Sequence, residues 1–103
     1  MEIYIIKRSG KYVPFMAYKI DDAIKKGFES VHVKYDEKIN LDVIQALSLK
    51  TTWYVEEIQD LIEKSLFTHG YFEVLRSFML FRHTRKLQRS RNEGIAEDTT
   101  YVN

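Results

Sequence analysis

The chain has 103 residues, a length that favours one compact domain over two. With 45% hydrophobic and 30% charged residues it has the make-up of an ordered globular domain, not of a disordered segment. It has no cysteine, which excludes disulfides, thiolate metal sites and thiol nucleophiles within the chain, and its net charge of +1 gives no global call for nucleic acid or a membrane surface as partner.

Glu2 to Lys7 and Lys11 to Phe15 are rich in β-branched and aromatic residues, and Ser9-Gly10 between them is a turn dipeptide, so two short paired strands are predicted. Pro14 falls near the end of the second, where a missing amide donor is tolerated at an edge. From Tyr18 the period changes. Ile20, Ala23, Ile24, Gly27, Phe28 and Val31 recur at the spacing of one helical face. Tyr35 to Asn40 reads as a polar connection or the start of the next helix, and Leu41, Ile44, Leu47 and Ser48 outline a second, shorter helix. Thr51 to Tyr54 has strand character but is too short to stand alone, so it is expected to extend the hairpin into a three-stranded sheet.

Val55, Ile58, Leu61, Ile62, Ser65 and Leu66 mark a third helix, with Glu56, Glu57 and Asp60 weighting its first turns as the helix dipole prefers and Gly70 as its stop. A last helix begins at Tyr71 or Phe72, carries Val74, Leu75, Phe78, Met79 and Phe81, and turns basic through Arg82, Arg85, Lys86, Arg89 and Arg91. The series Phe72, Phe78 and Phe81 is expected to be core. Residues 1–91 are assigned to the domain and 92–103, which lack a period, to a linker toward a downstream domain. The order of elements gives an α+β fold, four helices with a small sheet over one end. No apolar run approaches the ~18 residues that span a bilayer and no cleavable signal is evident, so the cytoplasm is the default setting.

Few residues point to chemistry by themselves. Lys7-Arg8-Ser9-Gly10-Lys11 places three cations around a tight turn, a shape that suits phosphate and equally suits a solvated hairpin tip. It lacks the Walker pattern. Arg82, Arg85 and Arg89 share a helical face by spacing, as cations that either complement a helix end or meet an anion. His32, His69 and His83 lie in different segments without metal-ligand spacing, and no serine, histidine and aspartate set can be argued into a triad. Neither a catalytic residue nor a protein metal site is assigned.

Four blocks taken together are more specific. K-R-S-G-K-Y-V-P-F at Lys7 to Phe15, K-I at Lys19 to Ile20 with Ala23-Ile24, V-E-E-I-Q-D-L-I-E at Val55 to Glu63, and F-M-L-F-R-H-T-R at Phe78 to Arg85 resemble the ATP-cone family in order and spacing. The similarity covers roughly residues 2 to 90. It implies a four-helix bundle capped by a three-stranded sheet, and a regulatory domain of ribonucleotide reductase that binds ATP or dATP, with magnesium as part of the nucleotide complex. The resemblance also implies a site: Ile5 and Ile20 against adenine, Lys7 and Arg8 on the phosphates, Lys19 approaching the nucleotide, Gln59 facing the same site and Arg85 closing from the last helix. The expected partners are the catalytic domain of the parent reductase and its neighbouring subunits. A related cone follows a zinc ribbon in the repressor of reductase genes, and the absence of cysteine argues against that relative. The start at residue 2 and the acidic, threonine-rich stretch Glu97 to Thr100 are more similar to the anaerobic ribonucleoside-triphosphate reductase than to the aerobic enzyme.

Three positions depart from the family pattern. Met16 stands where Asp or Asn is usual, Tyr54 where Thr or Ser is usual, and Ser9 where Asp is more common. A second functional reading rests on them: a cone that no longer binds nucleotide and serves as an oligomerisation module.

Overall fold

β-branched and aromatic residues are dense in the first fifteen positions, and there the chain forms its hairpin. The structure, a computed structural model, describes residues 2–93, with side chains described for 2–90. β1 (Tyr4–Ile6) and β2 (Tyr12–Pro14) pair antiparallel, Ile5 opposite Val13. Gly10 closes the turn, its N–H donating to the carbonyl of Lys7 at 2.8 Å while the Lys7 N–H donates to Lys11 at 2.9 Å. At Gly10 φ is 89°, a backbone state that glycine adopts with least strain. β3 (Thr52–Tyr54) joins the other side of β1 and runs parallel to it, Ile5 facing Trp53, so the sheet order is β2-β1-β3. Pro14 thus ends an edge strand, where its missing donor costs little.

α1 (Ala17–Ser30) buries Ile20, Ile24 and Phe28, the centre of the stripe predicted from its period. α2 (Glu37–Leu47) starts earlier than the spacing from Leu41 predicts. Asp36 is the reason: its carboxylate accepts the Lys38 N–H at 3.0 Å and caps the helix. The buried face of α2 is Ile39, Val43 and Leu47, while Leu41 is exposed, which corrects the face expected from the sequence. α3 (Val55–Thr68) buries Ile58, Ile62, Ser65 and Leu66 and is followed at Gly70 by a turn away, where φ is 81° and the next N–H, of Tyr71, returns to the Leu66 carbonyl at 2.9 Å.

α4 (Phe72–Glu93) packs on α1 and α3 through Val74 and Phe78. Phe72 and Phe81 are 59% and 60% exposed, so the aromatic series expected in the core contributes only Phe78 to it. At 100° per residue Phe72 lies nearly opposite the face set by Val74 and Phe78, whereas Phe81, seven residues from Val74, returns to that face and is exposed all the same. α4 continues two residues past the boundary expected at 91, and the rest of the expected linker at 92–103 lies outside the described residues.

Four helices and a small mixed sheet make an α+β fold, with one core shared between them. Trp53 joins the layers: it is buried, and its indole N–H donates to the Leu47 carbonyl at 3.0 Å, tying β3 to the end of α2. No helix among the described residues is long and apolar enough to cross a membrane.

Candidate functional site

Parallel pairing of β1 with β3 positions the site. Both strands point the same way, Ile6 beside Tyr54, so the chain leaving β1 as Lys7-Arg8 and the chain leaving β3 as Val55-Glu56 emerge at one edge of the sheet. Between them lies a recess of about 420 Å³, lined by Ile6, Lys7, Arg8 and Gly10 from the hairpin, Tyr12 of β2, and Tyr54, Val55 and Glu56 at the entry to α3. The hairpin turn therefore meets the amino-terminal end of a 14-residue helix, whose free amides and dipole favour an anion.

Several charged side chains at and beside the recess are paired. The Arg8 guanidinium donates to the Glu56 carboxylate across 48 positions of sequence. Glu57, one residue on, accepts the Tyr54 N–H at 2.8 Å and pairs with Lys50 at 3.0 Å. The Tyr54 amide first, and Lys50 second, hold the Glu57 carboxyl below the usual glutamate range. Lys50 also lies over the Trp53 ring at 4.4 Å. Tyr54 thus begins α3 without the Thr or Ser usual in the family pattern, because Glu57 reaches back to its amide as half of a capping box.

α4 reaches the same helix from its other side. Arg82, one turn beyond the buried Phe78, donates to Asp60 at 2.9 Å and to Glu63 at 2.7 Å. A longer contact, 3.4 Å, runs from Arg82 Nη2 to the Glu56 carbonyl. Burial works against its charge, but Glu63 and Asp60 together raise its pKa above the ordinary arginine value.

The residues expected at the nucleotide site are distributed as follows. Lys7 and Arg8 are exposed and line the recess. Ile5 sits on the central strand, half-buried against the core to which Ile20 belongs, and neither residue is among those lining the recess. Lys19 is exposed on α1 and Gln59 half-buried on α3. Arg85 is exposed, its guanidinium 5.6 Å from the Phe81 ring centre. Lys19, Gln59 and Arg85 are not among the residues lining the recess. Of the three arginines expected to share a face, Arg82 is taken up by α3 acids.

Sequence reasoning flagged Tyr54, which lines the recess, but missed Glu56. Glu56 was visible as an acid in the first turn of a helix, but its partner was not, because the pairing that brings Arg8 to it is parallel and far apart in sequence. Among the described residues no cluster of three or more acidic, histidine or cysteine side chains could hold a metal ion.

The ATP cone domain family matches residues 3–87. The chain belongs to the ATP cone family. This cone is 35% identical over 104 residues, 91% of the chain, to the vitamin B12-dependent ribonucleoside-diphosphate reductase of Thermoplasma acidophilum, covering 14% of that protein. It is 27% identical over 107 residues to the ribonucleoside-diphosphate reductase subunit alpha of Chlamydia pneumoniae, covering 88% of the cone and 10% of that subunit. Identity to the anaerobic ribonucleoside-triphosphate reductase of Haemophilus influenzae is 27% over 99 residues, 91% of the cone and 14% of that enzyme. The cone therefore spans about a tenth to a seventh of the length of these relatives.

Proposed function

We propose that this ATP cone is the nucleotide-sensing regulatory domain of a ribonucleotide reductase, binding the magnesium complex of ATP or dATP and doing no chemistry itself. The observation that carries this reading is the placement of Lys7 and Arg8 in one recess with the amino-terminal turn of α3. Two cations and a helix amino end give a phosphate chain charge-assisted hydrogen bonds and a favourable field at once. The relatives named above, all reductases, supply the parent. In this reading Ile5 and Ile20 offer apolar contact to the base, Lys19 and Gln59 approach the nucleotide, and Arg85 closes on the phosphates from α4.

Occupancy regulates by changing how the cone docks on the catalytic domain of its parent and on neighbouring subunits, so that ligand selects between an active and an inactive assembly. We read the parent as the anaerobic ribonucleoside-triphosphate reductase, on the likeness of the acidic, threonine-rich stretch Glu97 to Thr100. Ribonucleoside-diphosphate reductases, one of them B12-dependent, are similar at 27% and 35% identity and an anaerobic ribonucleoside-triphosphate reductase at 27%, and a glycyl-radical sequence in the same open reading frame is the check on that finer reading. Calorimetric titration with ATP and with dATP, each with magnesium, tests the sensing role: heat with at least one is expected, and none with either removes it.

A second reading rests on a different observation. α4 leaves Met79, Leu80, Phe81 and Leu87 exposed, and Met16 at the amino end of α1 makes no capping bond with its side chain. A cone kept only for protein contacts uses such a face, and it predicts self-association that ATP and dATP leave unchanged.

A further inference from the structure

We propose that Glu56 is a built-in competitor for the anion: it occupies the Arg8 guanidinium when no ligand is bound and must surrender it when a phosphate chain enters. This inference rests on the sensing reading above and names the residue that sets the affinity of that site. Glu56 is the one carboxylate among the residues lining the recess, and it bonds one of the two cations there. It stands at the second position of α3, where a negative charge also satisfies the helix dipole. Its carboxylate therefore fills both roles that a phosphate would fill, partner to Arg8 and anion at the helix end.

The pair is poised to exchange. Its side chains are 37% and 48% exposed, and an ion pair this open to water shifts an equilibrium by no more than about fivefold. A multiply charged phosphate chain that also reaches Lys7 and the turn amides outbids it. The neighbouring acid is not free to take over, because Glu57 is held by Lys50 and the Tyr54 amide. Nor does the turn that carries Glu56 move easily, since Arg82 on α4 contacts its carbonyl and bonds Asp60 and Glu63 on the same helix. What changes on binding is the Glu56 side chain, and its displacement leaves a carboxylate next to an anion, a repulsion that sets a threshold on ligand concentration.

The test compares the parent chain with Glu56→Gln by calorimetry, using inorganic tripolyphosphate and ATP as probes. The glutamine variant is expected to bind each about three- to tenfold more tightly, with a gain that shrinks as salt rises from 50 to about 500 mM. Glu37→Gln, which removes the same charge from the start of α2, is expected to leave affinity unchanged. In an Arg8→Ala background the effect of Glu56→Gln is expected to fall below about twofold. Equal or weaker binding by Glu56→Gln while the parent binds overturns the competition, as does a gain undiminished without Arg8. Failure of both parent and Glu56→Gln to bind ATP overturns the sensing reading itself, and the competition with it. Glutamine keeps the size of the side chain, and a melting temperature within about 3 °C of the parent establishes that the fold is intact.

Discussion

Around the hairpin, Lys7 and Arg8 stand exposed and one glutamate answers them. Around Phe28, by contrast, acids are fastened by hydroxyls from within the bundle. Tyr35 donates to Asp21, Tyr71 to Asp36 at 2.6 Å, and Ser65 to Asp42 at 3.0 Å, with His69 Nε2 2.7 Å from the same Asp42 oxygen. Both tyrosine rings stand edge-on to Phe28, at 5.6 and 5.0 Å between centres. The aspartates join α1, α2, α3 and the entry to α4, whereas at the hairpin Arg8 holds the single carboxylate of Glu56. One region spends its charges on architecture and the other keeps them available. Stability is therefore expected to follow the first and ligand affinity the second.

The sharpest way to break that division is at Phe28, which is fully buried and touches both tyrosines. Phe28→Ala removes a large ring and the edge contacts with it, and a loss of about 3–5 kcal/mol is expected in urea or thermal unfolding. A cost under about 1 kcal/mol would mean that the bundle closes over the gap and that the tyrosine bonds do not depend on the ring between them.

Next in size is the other region. Lys7→Ala and Arg85→Ala are each expected to weaken ATP or dATP about ten- to a hundredfold, the loss of about 1.5–3 kcal/mol that charge-assisted bonds supply. Melting of the Lys7 variant should stay near that of the parent, since Lys7 is exposed. Affinity unchanged in both variants would remove them from the site.

How far these two regions could be read from sequence differs for a physical reason. Local signals were legible: the hairpin from its branched residues and Ser9-Gly10, the face of α1 from its period, the stop at Gly70. The α2 face was not, because Ile39, Leu41, Val43, Ile44 and Leu47 carry two overlapping helical stripes and only packing chooses Ile39, Val43 and Leu47. Phe72 and Phe81 misled because an aromatic residue signals burial by type: Phe72 lies off the face of Val74 and Phe78, and Phe81 shares that face by period yet is left exposed. At the site, the cationic turn was evident and its counterpart was hidden, since the parallel β1–β3 pairing that delivers Glu56 leaves no local trace. None of the tyrosine–aspartate bonds was foreseen, and nothing short of the helix packing could have revealed them.

A smaller effect sharpens the architectural side. Asp36 caps α2 with one carboxylate oxygen and accepts the Tyr71 hydroxyl with the other, and that hydroxyl, ahead of the cap itself, lowers its pKa. Asp21 is lowered chiefly by Tyr35 and Asp42 chiefly by His69. A carboxyl whose folded pKa lies below its unfolded value contributes stability that is fully present above the unfolded range, about pH 4, and is lost as pH falls through the folded value. Unfolding free energy is accordingly expected to be flat above about pH 5 and to decline below about pH 4. Tyr71→Phe should lower the unfolding free energy at pH 7 by a small amount, through the loss of one hydrogen bond to a charged acceptor. The difference from the parent should narrow in acid, and a constant gap down to pH 2 would show that the bond does not depend on ionised Asp36.

The smallest effect expected is the stability change in Arg85→Ala, and its value lies in the contrast with Arg82, one turn away on α4. Arg82 is half-buried, follows Phe78 on the packed face and bonds two acids of α3, so its removal strands Asp60 and Glu63 beside each other. About 1 kcal/mol is reasonable for that loss, given that Asp60 is largely in water. Arg85 stands seven residues from Phe78, on the same side of α4, but is exposed, with its guanidinium against Phe81, itself exposed. A cation over an exposed ring contributes about 0.5–1 kcal/mol at most, and alanine, the best helix former, returns a few tenths by propensity. The net change in unfolding free energy for Arg85→Ala should therefore stay within about 0.5 kcal/mol. Parallel urea titrations of the two alanine variants without nucleotide decide the matter: if Arg85→Ala destabilises as much as Arg82→Ala, then Arg85 belongs with the charges spent on architecture, and its loss of ligand affinity would be a consequence of a loosened α4.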